Sequence, residues 1–126
     1  MTITGTVERG KQLGRILGYP TANIRAEGDV GLPGNGVYAA SILLEGEDAP
    51  RPCMLNQGIH PTVPEGKHTI EAHLLDYDGD LYGRRVRVEY LRFLRPECRF
   101  EGLDALRAQL RRDLEATRQW FAAHPL

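Results

Sequence analysis

Gly36-Val37-Tyr38-Ala39-Ala40-Ser41-Ile42-Leu43-Leu44 is the longest of several strand-like runs in the first three-quarters of the chain, and it is rich in β-branched and aromatic residues. It predicts a strand, central in its sheet. Downstream, Thr69-Ile70-Glu71-Ala72-His73-Leu74-Leu75 alternates strictly, with Ile70, Ala72 and Leu74 on one face and Thr69, Glu71 and His73 on the other. One face belongs to a core, and the other carries groups capable of chemistry. Arg85-Val86-Arg87-Val88-Glu89-Tyr90 also alternates, but Leu91 and Phe93 fall out of phase, which predicts a bulge or bend near Tyr90.

Shorter strands are expected at Ile3 to Glu8 and Cys53 to Asn56, separated by Gly, Pro, Asn and Asp. Many short strands with turn signals predict an antiparallel sandwich or barrel. After Gly102 the period changes. Leu103, Leu106, Leu110, Leu114, Thr117 and Phe121 keep helical spacing, and His124-Pro125 ends the run, so one helix over about 103–123 covers a barrel of about residues 1–100.

At 126 residues the chain has the size of one domain, expected over 1–126. Apolar residues at 41% and charged residues at 26% are ordinary for a globular protein. Sixteen Lys and Arg against 17 Asp and Glu create no global field toward nucleic acid or anionic lipid. No apolar run suits a bilayer and the first residues do not resemble a leader, so a cytoplasmic protein that binds neither nucleic acid nor membrane is expected. Cys53 and Cys98 lack metal-ligand or disulfide spacing, and the four histidines show no helical ligand pair.

Three segments invite chemistry. The first runs from Gly10 to Asn23, where Gly10, Gly14 and Gly18 permit close backbone approach and Lys11 and Arg15 supply positive charge. Phosphate binding and plain turns are both open readings, since the segment ends without the Gly-Lys-Ser/Thr of a Walker loop. Within it, Pro20 stiffens the chain ahead of Thr21 and Asn23, whose side-chain oxygens either help hold a magnesium ion or bond their own backbone. Second, Glu71 is either a general base or a solvated carboxylate. Third, Asp76-Tyr77-Asp78-Gly79-Asp80 starts like a calcium loop, but Leu81 and Arg87 stand where Gly and Glu are required. A hairpin turn at Asp78-Gly79, joining the Glu71 strand to the Val86 strand, is the expectation instead. On the helix, Arg107, Arg111, Arg112 and Arg118, interspersed with Asp104, Asp113 and Glu115, read as a solvated face.

In order, these blocks resemble the riboflavin kinase family: Gly5-Thr6-Val7 with Gly10, Gly14-Arg15, Leu17-Gly18-Tyr19-Pro20-Thr21-Ala22-Asn23-Ile24, Leu32-Pro33 and Gly36-Val37-Tyr38-Ala39. Asn56, Gly58, Pro61-Thr62, Glu71 to Asp76, Asp80-Leu81-Tyr82-Gly83, and Leu94-Arg95-Pro96-Glu97 with Phe100 continue it over nearly the whole chain. The resemblance implies a six-stranded antiparallel Greek-key barrel with a C-terminal helix, acting as a kinase that moves the γ-phosphoryl group of ATP to the 5′-hydroxyl of riboflavin, giving FMN and ADP.

It also implies roles. Thr21 and Asn23 would hold Mg2+ and the ATP phosphates, the Gly10 to Gly18 loop with Lys11 would fold over the nucleotide, and Pro20, His73 and Tyr82 would lie near it. Glu71 would be the general base, with Asn23 and Arg95 as catalytic partners. Leu94, Arg95 and Glu97 would line the flavin, Arg95 favouring charge on the transferring phosphoryl. Gln57 and Val63 depart from the family pattern, where an aliphatic and an aromatic residue are usual. The FAD-synthesising adenylyltransferase half of the bacterial family members is absent, so the chain as given is expected to make FMN but not FAD, and the first strand starts so close to Met1 that a module excised from such a fused enzyme is expected. Two rivals stand beside this reading: a non-catalytic flavin- or nucleotide-binding barrel, and an RNA-binding barrel.

Overall fold

A computed structural model describes residues 1–9, 19–27, 31–58 and 68–126. Six strands precede one helix: β1 (Thr2–Glu8), β2 (Ala22–Ala26), β3 (Gly36–Leu44), β4 (Arg51–Gly58), β5 (Thr69–Leu74), β6 (Arg85–Pro96) and α1 (Leu103–Ala123). They close into a barrel in the order β1-β2-β5-β4-β3-β6, every pair antiparallel. The order 6-3-4-5 is a Greek key: three successive strands pair in turn and the fourth returns beside the first. β3, the strand of the longest run, is paired on both sides, by β4 and β6.

Alternation decides what fills the barrel. Val7, Ile24, Tyr38, Ala40, Ile42, Leu44, Leu55, Ile70, Ala72, Leu74, Val86 and Val88 belong to one buried cluster, and Cys53 lies among them with its thiol pushed up to about 12 by burial. Gln57 is the polar exception. Fully buried, it accepts a 2.6 Å hydrogen bond from the Tyr90 hydroxyl and donates one of 2.6 Å to the Pro33 carbonyl. An amide replaces the usual aliphatic residue here because both its ends find partners.

β6 bends twice. Its register against β3 slips between Ala39 and Ala40, passing over Leu91, and again between Val37 and Tyr38, passing over Leu94. The first slip is the bulge expected near Tyr90, and it turns Phe93 toward Tyr38, with the rings edge-on at 5.2 Å. The second sets Arg95 opposite Val37, on the outer wall.

Two sequence expectations give way. β5 pairs with β2 and β4 while β6 pairs with β1 and β3, so Asp78-Gly79 does not join a hairpin. The chain instead turns after β5 at Asp76, in the left-handed region (φ 53°), and crosses the barrel end. Asp tolerates that backbone better than most residues, and its carboxylate accepts hydrogen bonds of 2.9 and 3.1 Å from Arg118. Nor is the charged side of α1 all solvated: Asp113 is 4% exposed and takes a bidentate ion pair from Arg95, while Leu103 is exposed. The helix packs on β3, β4 and β6, covering outward-facing Val37, Ala39 and Met54. Among the described residues, no helix is long and apolar enough to cross a membrane.

Candidate functional site

Beyond the edge of the helix the outer wall turns polar. Asn23 on β2 lies directly opposite Glu71 on β5, which lies directly opposite Asn56 on β4. Directly opposed residues share a face with Cβ atoms about 4.5–5.5 Å apart, so the three side chains form one row across three strands. Their chain neighbours Ala22, Ile24, Ile70, Ala72, Leu55 and Gln57 point inward and are buried, which fixes the row outward. All three members are half-buried. Loss of water around Glu71 pushes its carboxyl above the usual range.

Thr21 sits two residues before Asn23, and its Oγ1 is buried without a hydrogen-bond partner among the described residues. Buried hydroxyls ordinarily find a partner, so an orphan beside an amide suits a ligand oxygen or a cation. The segment is anchored from β5, where His73 Nδ1 lies 2.7 Å from the Pro20 carbonyl. A carbonyl only accepts, so Nδ1 carries the proton and donates it. The Tyr19 ring meets the His73 ring edge-on at 5.9 Å. Magnesium fits this donor set, as Thr21 and Asn23 offer neutral oxygens of the kind that hold the ion alongside phosphates and waters.

Thr21 and Asn23 also line a cavity of about 520 Å³ at one end of the barrel, with Glu8, Arg9, Pro20, Asp80 and Tyr82 at its rim. Tyr82 is 54% exposed and lies beneath the Arg9 guanidinium, 4.3 Å from its ring centroid. Glu71 is outside that lining and meets it through Asn23. Gly10, Lys11, Gly14 and Gly18 lie outside the described residues.

The Leu94–Glu97 segment folds over the other end of the row. The Glu97 carboxylate lies in the space beside Gly58 that a side chain there would enter. Gly58 is two residues beyond Asn56 on the same wall, and half-buried Leu94 is the residue passed over at the second bulge. Arg95, expected beside the phosphoryl group, gives its guanidinium to the helix. Its Nε and Nη2 donate to Asp113 at 2.8 and 2.7 Å, and Nη1 donates to the Pro96 carbonyl at 3.1 Å. The hydrogen bonds that Arg95 donates to Asp113 hold the guanidinium charge more firmly than usual. Three features went unread in the sequence: Asn56 as a member of the row, Asp113 as the anchor of the loop, and Gln57 as a buried link. For Asn56 a signal existed in its spacing from inward-facing Leu55, whereas the other two depend on contacts between distant segments.

The closed barrel thus carries a carboxylate and two amides on one outer wall, next to a cavity and to a hydroxyl with no partner among the described residues. The chain matches the family described as Flavokinase: Riboflavin kinase over residues 1–121, and it belongs to that family. The bifunctional riboflavin kinase/FMN adenylyltransferase of Escherichia coli (strain K12) is 44% identical over 119 residues, covering 94% of this chain and 37% of that protein. The RNA-binding riboflavin kinase RibR of Bacillus subtilis (strain 168) is 38% identical over 120 residues, covering 94% of this chain and 50% of that one. A solved structure described as a macrolide-efflux protein from Streptococcus pneumoniae superposes with a TM-score of 0.84 at 31% identity, covering 94% of this chain and 38% of that chain. This chain thus spans half or less of the length of these relatives.

Proposed function

We propose that this chain is a riboflavin kinase that transfers the γ-phosphoryl group of ATP to the riboflavin 5′-hydroxyl. The observation that carries the reading is the direct pairing of Glu71 with Asn23, which puts a half-buried carboxylate beside the Thr21 and Asn23 oxygens on one wall. Glu71 aligns the alcohol and takes its proton as the oxygen–phosphorus bond forms. The proton leaves late, which reconciles a carboxylate base with a far weaker acid. The bond from the γ-phosphorus to the bridging oxygen breaks, and ADP carries that electron pair away.

Thr21 and Asn23 would hold Mg2+, which would supply charge neutralisation at the phosphates. His73 fixes the Pro20–Thr21 backbone that presents them. The nucleotide occupies the cavity bordered by Pro20 and Tyr82. Leu94 and Glu97 border the flavin, and Arg95 contributes by fastening their loop to Asp113. The adenylyltransferase named in the E. coli relative supports a native fusion to such a domain. The RNA binding named in the B. subtilis relative is not carried over, because the charge of this chain is balanced. Incubation with riboflavin, ATP and Mg2+, followed by chromatography, tests the reading. FMN and ADP in equal amounts are expected, and riboflavin bound but unchanged would favour a non-catalytic binding barrel.

A further inference from the structure

The row of side chains is asymmetric about Glu71. On the proposed reading, phosphate donors and the cavity lie on the Asn23 side of Glu71, while Glu97, Gly58 and the Leu94–Glu97 loop lie on the Asn56 side. In-line phosphoryl transfer requires attacking and leaving oxygens on opposite sides of phosphorus. With the attacking hydroxyl at Glu71, the rest of its carbon chain must run away from Asn23. That direction leads across one strand spacing, about 4.8 Å, to Asn56.

We infer that Asn56 is a specificity-determining residue that reads the interior hydroxyl groups of the substrate's polyol tail. Its position supports the role in three ways. It is directly opposite Glu71, on the same outward face, and half-buried. Its amide both donates and accepts, matching a hydroxyl that does the same. Its outward neighbours on β4 offer no such group, since Met54 is apolar and buried and Gly58 has no side chain. A tail bearing interior hydroxyls would therefore be held by Asn56, and a bare alkyl tail would not.

This inference rests on the proposed kinase reading, but its test reads binding and so separates the two. Riboflavin is compared with an isoalloxazine carrying a 5-hydroxypentyl tail, which keeps the ring and terminal hydroxyl but lacks the interior ones. Both dissociation constants are measured by flavin fluorescence with Mg2+ and ADP present, on the wild type and on Asn56→Ala, with Tm checked for each. Asn56→Ala is expected to weaken riboflavin binding about tenfold and leave the alkyl analogue within about twofold, the scale of one lost hydrogen bond. Equal weakening of both ligands would overturn the inference by making Asn56 a support for Glu71 or the strand. Unchanged binding of both would overturn it as well. Failure of the wild type to form FMN would instead sink the kinase reading.

Discussion

Asp113→Ala removes the anchor of the Leu94–Glu97 loop. The carboxylate is 4% exposed and accepts from Arg95 Nε at 2.8 Å, Arg95 Nη2 at 2.7 Å and Gln109 Nε2 at 2.9 Å. The Arg95 side chain, 17% exposed, cannot simply return to water. Breaking a buried pair from one side costs about 3–5 kcal/mol, and the partial access of Arg95 to solvent puts this one near the lower bound, about 3 kcal/mol. For a domain of this length that corresponds to a fall in Tm of roughly 10 °C. Urea unfolding with an unchanged slope is the direct assay. Replacing both members, Arg95→Met with Asp113→Leu, is expected to recover most of the loss, since no charge is then stranded. A loss under about 1 kcal/mol for Asp113→Ala would reduce the pair to an ordinary surface contact. The accompanying functional change should be weaker riboflavin binding with ATP binding unaltered.

Glu71→Gln is expected to stabilise the fold at neutral pH even as it removes the base. Burial raises the carboxyl's pKa in the fold, so the folded state holds that proton longer than the unfolded chain does, and stability falls as pH rises between the ordinary glutamate value and the raised one. The variant's advantage in thermal melts should vanish in acid below that window; the same Tm gap at every pH would refute it. Tyr90→Phe strands the Gln57 carbonyl oxygen inside the barrel and is expected to lower stability by about 1–3 kcal/mol. Adding Gln57→Leu should cost less than the two single changes together, measured by a double-mutant cycle in urea.

Strand positions were most legible where a long apolar run stood out, as at β3, or where alternation ran for six residues, as at β5 and the first half of β6. β2 was not, because five residues, Ala22 to Ala26, give too few periods to stand out from a turn. The pairing of strands was less legible than their existence. Asp78-Gly79 is a strong local hairpin signal, yet closure of the barrel sets β5 between β2 and β4, and no dipeptide encodes that. Glu71 stood out as a carboxylate on an otherwise well-packed strand, and the register with Asn23 gives it a neighbour. Asp113 was misread because charge on a helix surface ordinarily faces water. Only the second bulge, which returns Arg95 to the outer wall, gives it a buried partner.

Turnover of Glu71→Gln tests the central claim most directly, because the variant keeps the size and polarity of the side chain and loses only its ability to take a proton. FMN formation is followed under saturating riboflavin, ATP and Mg2+, with ligand affinities measured alongside. The account predicts a fall in kcat of roughly 10²-fold or more with both affinities kept. Near-normal turnover would show that the carboxylate facing Asn23 is not the base.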